Sequence, residues 1–279
     1  MQKKLHICII LPTVQIMIQR MNALIDNKHH VLDLPGPEDE VVKGVKWGRF
    51  DHLFTPAFWF SQVWYQQSAD QTFTYRLGRT LIEEVVACLL GGHGLPAEVG
   101  VAAFNRIREG GFLVQTGCTA PEICKALSEP LVINGRTIRY RYPQQRSLFV
   151  SEAINRLNTE QAPLDSDLAL RAWLLSLNGV GPKTASWITR NVLDSDNVAI
   201  LDIHIYRAGL LAGVFRPDKT VVRHYTLLED KLVQFARGLN VKLSVLDALM
   251  WSHMREFGRV ALDALRNRGF AYSPLKRSE

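Results

Sequence analysis

Lys183 and Asp202 are a pair of residues in this chain whose types and setting suit bond-breaking chemistry. A lysine amine, once neutral, is a nucleophile, and a fixed carboxylate stabilises positive charge that develops beside it. Lys183 follows Gly179-Val180-Gly181-Pro182, and Asp202 interrupts an apolar run in Ala199-Ile-Leu-Asp-Ile-His-Ile-Tyr-Arg207. Proline is best tolerated at the first position of a helix, and aspartate is a favoured N-cap. They are nineteen residues apart, enough for a helix of about three turns plus a return loop. Both side chains are therefore expected at the starts of successive helices, facing one cleft. Attack by Lys183 needs the free amine. Desolvation and a helix N-terminus favour loss of its proton, whereas Asp202 alone opposes it.

The elements that must hold this pair can be read around it. In Leu175-Ser-Leu-Asn-Gly-Val-Gly-Pro-Lys-Thr-Ala-Ser-Trp-Ile-Thr189, one helix ends at Asn178, two glycines allow a tight turn, and a second helix opens at Pro182. Such a turn brings backbone N–H groups to the positive end of a helix dipole, a ready site for phosphate, while Leu177 and Val180 pin the two helices. This is a helix-hairpin-helix signal over residues 177–184, with Gly179, Val180 and Gly181 as its DNA contacts. Trp187 lies one turn after Lys183 on the same face, and Asp247 and Trp251 share a face of a later helix. A non-enzymatic DNA clamp would need the glycines but neither Lys183 nor Asp202.

Farther out, Leu81, Ile82, Val85, Val86, Leu89 and Leu90 recur at helical spacing up to Gly91-Gly92-His93-Gly94. Val99, Ala102, Ala103 and Ile107 form a second stripe ending at Gly110-Gly111, and Ala120-Pro-Glu opens a helix through Leu127. Leu131–Ile138 reads as a β-hairpin, because Asn134-Gly135 between apolar runs suits a two-residue turn. Helical periodicity returns at Gln145–Leu157 and Leu168–Leu177. Between Pro130 and Ser151 stand Arg136, Arg139, Arg141 and Arg146, interleaved with Tyr140 and Tyr142 and free of acids. Arg139 and Arg141 are the contacts expected of a phosphate-tracking edge. Near the N-terminus, Val14, Met17, Ile18, Met21, Leu24 and Ile25 predict a helix opened at Pro12-Thr13. The aromatic residues from Trp47 to Tyr65 are expected in a core or subdomain interface.

The chain has 279 residues, a formal charge of +6 and 47% hydrophobic residues. That composition excludes disorder, and the chain lacks an apolar run of about 18 residues, so no membrane span is expected. The N-terminus shows no small-residue cleavage site, so a cytoplasmic protein is expected, nucleoid-associated if bacterial. The four cysteines fit no common zinc spacing, Cys118 and Cys124 being six apart, so reduced thiols and neither metal nor cofactor are expected.

These motifs resemble the HhH-GPD superfamily of DNA base-excision glycosylases, most closely its 8-oxoguanine DNA glycosylase branch. The resemblance spans roughly residues 76–262 and is strongest over 175–207. It implies a mainly α protein with the HhH-GPD fold, two helical subdomains and a minor β element. Residues 1–75 would pack as an N-terminal region on a glycosylase domain of residues 76–279. It further implies a monomer acting on double-stranded DNA with a damaged base, as a bifunctional glycosylase and AP lyase. Lys183 would be the nucleophile, Asp202 its partner and His204 a phosphate contact. His93 would lie in the turn that fills the gap left by a flipped nucleotide. In the base pocket Trp251 would stack, Asp247 would read the Watson–Crick edge, and Trp187 would form a wall. Ile200 stands where the family usually has proline, and Trp187 and Asp247 also depart from its commonest pocket residues. Those departures leave open a glycosylase for a different modified base. Relatives that read adenine opposite 8-oxoguanine or excise oxidised pyrimidines commonly carry a C-terminal four-cysteine iron–sulfur motif, and its absence from the sequence, like that of the zinc deaminase pattern, argues against those classes.

Overall fold

The computed structural model describes residues 18–68, 76–92 and 94–270. The chain is mainly helical, as expected. After two short N-terminal hairpins, β1 (Gln19–Ile25) with β2 (Lys28–Leu34) and β3 (Glu40–Val42) with β4 (Val45–Lys46), it runs into α1 (Pro56–Ser68). Then follow α2 (Leu81–Leu90), α3 (Ala97–Glu109), a 3-10 turn (Phe112–Val114) and α4 (Ala120–Ser128). A hairpin of β5 (Leu131–Ile133) and β6 (Arg136–Ile138) leads to α5 (Pro143–Thr159), α6 (Asp167–Leu174) and α7 (Pro182–Leu193). The chain closes with α8 (Ile203–Leu211), α9 (Val221–Gly238), α10 (Leu243–Glu256) and α11 (Gly258–Asn267).

Two apolar cores organise these helices. One is built by α2 to α7, with Val85, Leu89, Ile107, Ile123, Ile154, Leu170, Leu177 and Ile188 buried in it. The other joins α8 to α11 with the N-terminal elements, so that Leu34, Trp47, Phe54, Phe58 and Trp59 pack with Ile205, Leu228, Phe235, Leu246 and Met250. Trp47, Phe54, Phe58 and Trp59 are thus core with Phe50 and Phe60 packed against them, whereas Trp64 is half-buried beside His30 and Tyr65 is exposed.

The helix expected from Val14 to Ile25 is corrected where it can be followed. Residues 19–25 form β1, paired antiparallel with β2 from Gln19↔Leu34 to Ile25↔Lys28. The reason is the turn. Asp26 and Asn27 both take positive φ, 49° and 61°, the conformation that closes a two-residue hairpin. Outward Arg20, Asn22 and Leu24 then alternate with inward side chains. Positions 1–17, with Cys8, lie outside the described residues.

The second hairpin follows the expectation, with Asn134 at φ 49° and Gly135 at φ 75° between Ile133 and Arg136. The helix before the glycines is shorter than expected. It ends at Leu174, not Asn178, and hydrogen-bonded turns carry the chain through Leu177 to Val180. No helix among the described residues is long and apolar enough to cross a membrane.

Candidate active site

The hairpin between α6 and α7 is built on two glycines with different tasks. Gly179 has φ +84°, and a Cβ there would stand 2.4 Å from the Phe149 ring of α5. Gly179 is needed for conformation and for close packing. Gly181, the N-cap of α7, has φ −95°, and a Cβ on it would meet nothing within 4 Å. Its face is open to a partner. Between them Val180 is buried with Leu177, pinning the turn to the core as the pattern predicted.

Pro182 then starts α7, and Lys183 follows as an exposed side chain in its first turn. Asp202 is the N-cap of α8. Its Oδ1 accepts from the N–H of His204 at 2.8 Å and of Ile205 at 2.9 Å. The two groups meet at one cavity of about 150 Å³, lined by both together with Trp187, Arg190, Ile200, Ile205, Asp247, Ala248 and Trp251. All five side chains expected to form the catalytic pair and the base pocket therefore border the same space. Trp187 and Trp251 supply aromatic walls.

The polar setting of those walls was not foreseen. Trp187 Nε1 donates to Oε1 of Glu84, a fully buried carboxylate on α2, at 2.9 Å. Asn191 Nδ2 donates to the same oxygen at 2.9 Å, while Glu84 Oε2 accepts from Leu77 N–H at 2.9 Å and Gly78 N–H at 2.6 Å. Arg190 lies over the Trp187 ring, 5.9 Å from its centroid, and forms a buried ion pair with Asp247 Oδ1. Asp247 Oδ2 accepts from the Ile200 N–H at 3.4 Å. Asp247 therefore reaches the cavity with both oxygens engaged, not as an open acceptor. Burial pushes its carboxyl up to about 6, opposed by the Arg190 charge and the Ile200 bond.

His204 is half-buried beside the cavity, its ring edge-to-face with Trp251 at 6.4 Å. Burial lowers its pKa, Arg207, Arg255 and Lys183 lower it further, and Asp202 opposes them. Arg255 sits over Trp251 at 5.3 Å, at the exposed end of α10. Arg139 and Arg141 are exposed and do not line the cavity. Arg141 lies over the Tyr142 ring at 5.2 Å, and Tyr142 Oη is 3.2 Å from where a Cβ of Gly94 would be. The basic segment is thereby docked against the Gly91–Gly94 turn. His93 in that turn lies outside the described residues.

Arg190 and Glu84 are the residues that sequence reasoning missed. A signal existed. Arg190 falls on the Lys183–Trp187 face, and Glu84 interrupts an otherwise apolar stripe, registers where a solvated charge does not belong. Among the described residues no cluster of His, Cys, Asp or Glu has the arrangement of a metal site, and Cys88, Cys118 and Cys124 are free thiols.

The sequence profile of the 8-oxoguanine DNA glycosylase (Ogg-HhH) family matches residues 71–241. The chain is similar to the crystal structure of 8-oxoguanine DNA glycosylase from Methanocaldococcus jannaschii, at 26% identity and TM-score 0.48, covering 64% of this chain and 78% of that one. The same archaeal glycosylase/lyase in complex with a 15mer DNA containing 8-oxoguanine gives 24% identity and TM-score 0.46, covering 64% and 80%. The Clostridium acetobutylicum 8-oxoguanine glycosylase/lyase, in complex with double-stranded DNA bearing cytosine opposite the lesion, gives 11% identity and TM-score 0.45, covering 86% of each chain. No curated protein matches the chain significantly. With the profile spanning more than half its length, the chain belongs to the 8-oxoguanine DNA glycosylase family of helix-hairpin-helix repair enzymes.

Proposed function

We propose that the protein excises 8-oxoguanine from duplex DNA and then cleaves the strand as an AP lyase. The observation that carries this reading is the shared cavity. Lys183 and Asp202, from two helix starts, open on one space walled by Trp187 and Trp251. A base must leave the stack to reach them, at a cost of a few kcal/mol that aromatic walls can offset. The exposed Lys183 amine would then be covered by the bound nucleotide, which strips water from it.

In the first step the Lys183 Nζ lone pair bonds to C1′ while the glycosidic bond breaks, and the base departs with the bonding electrons and takes up a proton. The Asp202 carboxylate faces the positive charge that develops on the sugar. Loss of a proton from nitrogen and opening of the ring leave a Schiff base. Removal of a C2′ proton then expels the 3′ phosphate, and water releases Lys183. Gly179 and Gly181 would offer backbone N–H groups to a phosphate on a turn that Val180 closes by donating its own N–H to Leu177 O at 3.2 Å, with His204, Arg139 and Arg141 as further backbone contacts and His93 at the vacated stack.

The Arg190 guanidinium in the wall only donates hydrogen bonds, which suits 8-oxoguanine carbonyls but also other oxidised bases rich in acceptors. The test is borohydride trapping on duplexes carrying 8-oxoguanine, an oxidised pyrimidine or no lesion. Wild type should be captured on 8-oxoguanine and Lys183→Gln on none. Strand cleavage retained by Lys183→Gln would remove the nucleophile assignment, and capture on the pyrimidine alone would change the substrate. Asp202→Asn should bind DNA while losing at least about a hundredfold in turnover. Joint loss of binding and turnover would mark Asp202 as a structural cap.

A further inference from the structure

We propose that Asp247 is a positioning residue that holds Lys183 and Asp202 in one register, and does not read the base. The proposal rests on the reading of those two side chains as the reacting pair.

One carboxylate on α10 touches the supports of both. Oδ1 pairs with Arg190, two turns along α7 from Lys183 and on its face. Oδ2 takes the N–H of Ile200, two residues before Asp202. Asp247 is 2% exposed, so neither bond competes with bulk water.

The neighbouring clasp has the same plan. Glu229 of α9, equally buried, accepts from Ser186 Oγ of α7 at 2.9 Å and from the Ala199 N–H at 3.0 Å. Its other oxygen pairs with Arg171 of α6. Tyr225 Oη completes the hold on the segment, donating to Ala199 O at 2.8 Å and accepting from Leu201 N–H at 3.2 Å. Two consecutive amides, 199 and 200, are thus tied through two carboxylates to two side chains of α7. The helix that presents the amine and the extended segment that delivers the acid cannot slide past one another without breaking both ties.

Residue 200 fits this account. A proline there would have no N–H to give, and isoleucine supplies the donor that Asp247 uses. Reading a base through Asp247 would instead require its oxygens to leave Arg190 or Ile200, exposing a buried guanidinium or amide without a partner.

A preformed abasic site separates the two roles, because it offers the sugar without a base to read. Asp247→Asn in the full chain should lose at least tenfold in single-turnover rate on a base-bearing duplex and a similar factor in borohydride trapping on the abasic duplex. Its DNA dissociation constant should stay within twofold of wild type. Slowing on the base-bearing duplex alone, with wild-type trapping at the abasic site, would overturn the proposal and make Asp247 a base reader. Should Asp247→Asn fail to fold, the double variant Arg190→Met/Asp247→Met replaces the ion pair with apolar volume, a change buried pairs tolerate. That variant lacks the Ile200 tie and should be slow on both duplexes, and wild-type trapping by it would equally overturn the proposal. Lys183→Gln run beside them isolates the underlying reading. If it still traps, the assignment of Lys183 fails whatever Asp247 does.

Discussion

Gly179 and Gly181 stand two positions apart in the same turn, yet alanine should do different damage at each. At Gly179 the backbone is left-handed at φ +84°, which costs a side-chain-bearing residue about 1–2 kcal/mol. The added methyl would also lie 2.4 Å from Phe149 Cδ2, well inside contact distance, and overpacking of this kind costs about 1–3 kcal/mol. Gly179→Ala should therefore destabilise the protein by about 3 kcal/mol, a fall in Tm of about 6–12 °C for a chain of this size. At Gly181 φ is −95° and the methyl points into open space, so the loss is confined to a poorer N-cap, about 1 kcal/mol or less. That open space is where a DNA phosphate would meet the N–H groups at the start of α7. Gly181→Ala should accordingly bind an undamaged duplex several-fold more weakly in fluorescence anisotropy while melting within a few degrees of wild type. Gly179→Ala should show the larger melting shift and, well below its Tm, the smaller binding loss. Wild-type affinity in Gly181→Ala would refute the hairpin as a phosphate grip. A wild-type Tm in Gly179→Ala would refute the close approach of Phe149.

The Asp247 carboxyl is pushed up to about 6, against about 3.9 in an unfolded chain, so the folded state holds that proton more tightly. The stability this contributes is fully present below the unfolded value and is lost as pH rises through about 6. Activity runs the opposite way. Protonation removes the charge that faces Arg190 from α7 and Asp202 from the start of α8, so single-turnover rates should fall below pH 6. A His204→Gln variant should keep that acid limb, and a flat wild-type profile down to pH 5 would contradict the assignment. Arg139→Ala/Arg141→Ala removes two exposed cations outside the cavity. It should weaken duplex binding alike for all sequences and reduce the salt slope of log affinity by about 2. The trapping rate at saturating DNA should be unchanged, and a slope equal to wild type would exclude both arginines from phosphate contact.

What the sequence disclosed and what it hid divide along a physical line. Signals carried by a few adjacent residues held. Gly-x-Gly-Pro before a helix, aspartate as an N-cap, and Asn-Gly between apolar runs each dictate local backbone geometry, and each lies where it was expected. The first strand misled because Val14, Met17, Ile18, Met21, Leu24 and Ile25 satisfy a helical period by spacing alone. The contrary signal, Asp26-Asn27 with strand-forming residues after it, acts only once the second strand pairs. Tertiary partners were further out of reach. Register alone marks Glu84 and Arg190 as misplaced for solvated charges, and none of residues 84, 190, 229 and 247 names its partner in the sequence.

Those hidden groups explain how a site assembled from two cores keeps its shape. Lys183 rides on α7, whose apolar face belongs to the core of α2 to α7, while Asp202 begins α8, which belongs to the other core. Hydrophobic packing is non-directional and cannot alone fix the register between two separately packed bodies. Directional bonds can. Glu84 from one side, and Glu229 and Asp247 from the other, each take a different side chain of α7: Trp187 with Asn191, Ser186, and Arg190. The helix is thus pinned along its length by three buried carboxylates whose exposure is 2% or less. Buried acids are expensive unless their partners are in place, so each small displacement of α7 is penalised by several groups at once. Under the proposed function, in which an extruded nucleotide enters between the two bodies, that stiffness keeps the starts of α7 and α8 in register before DNA arrives.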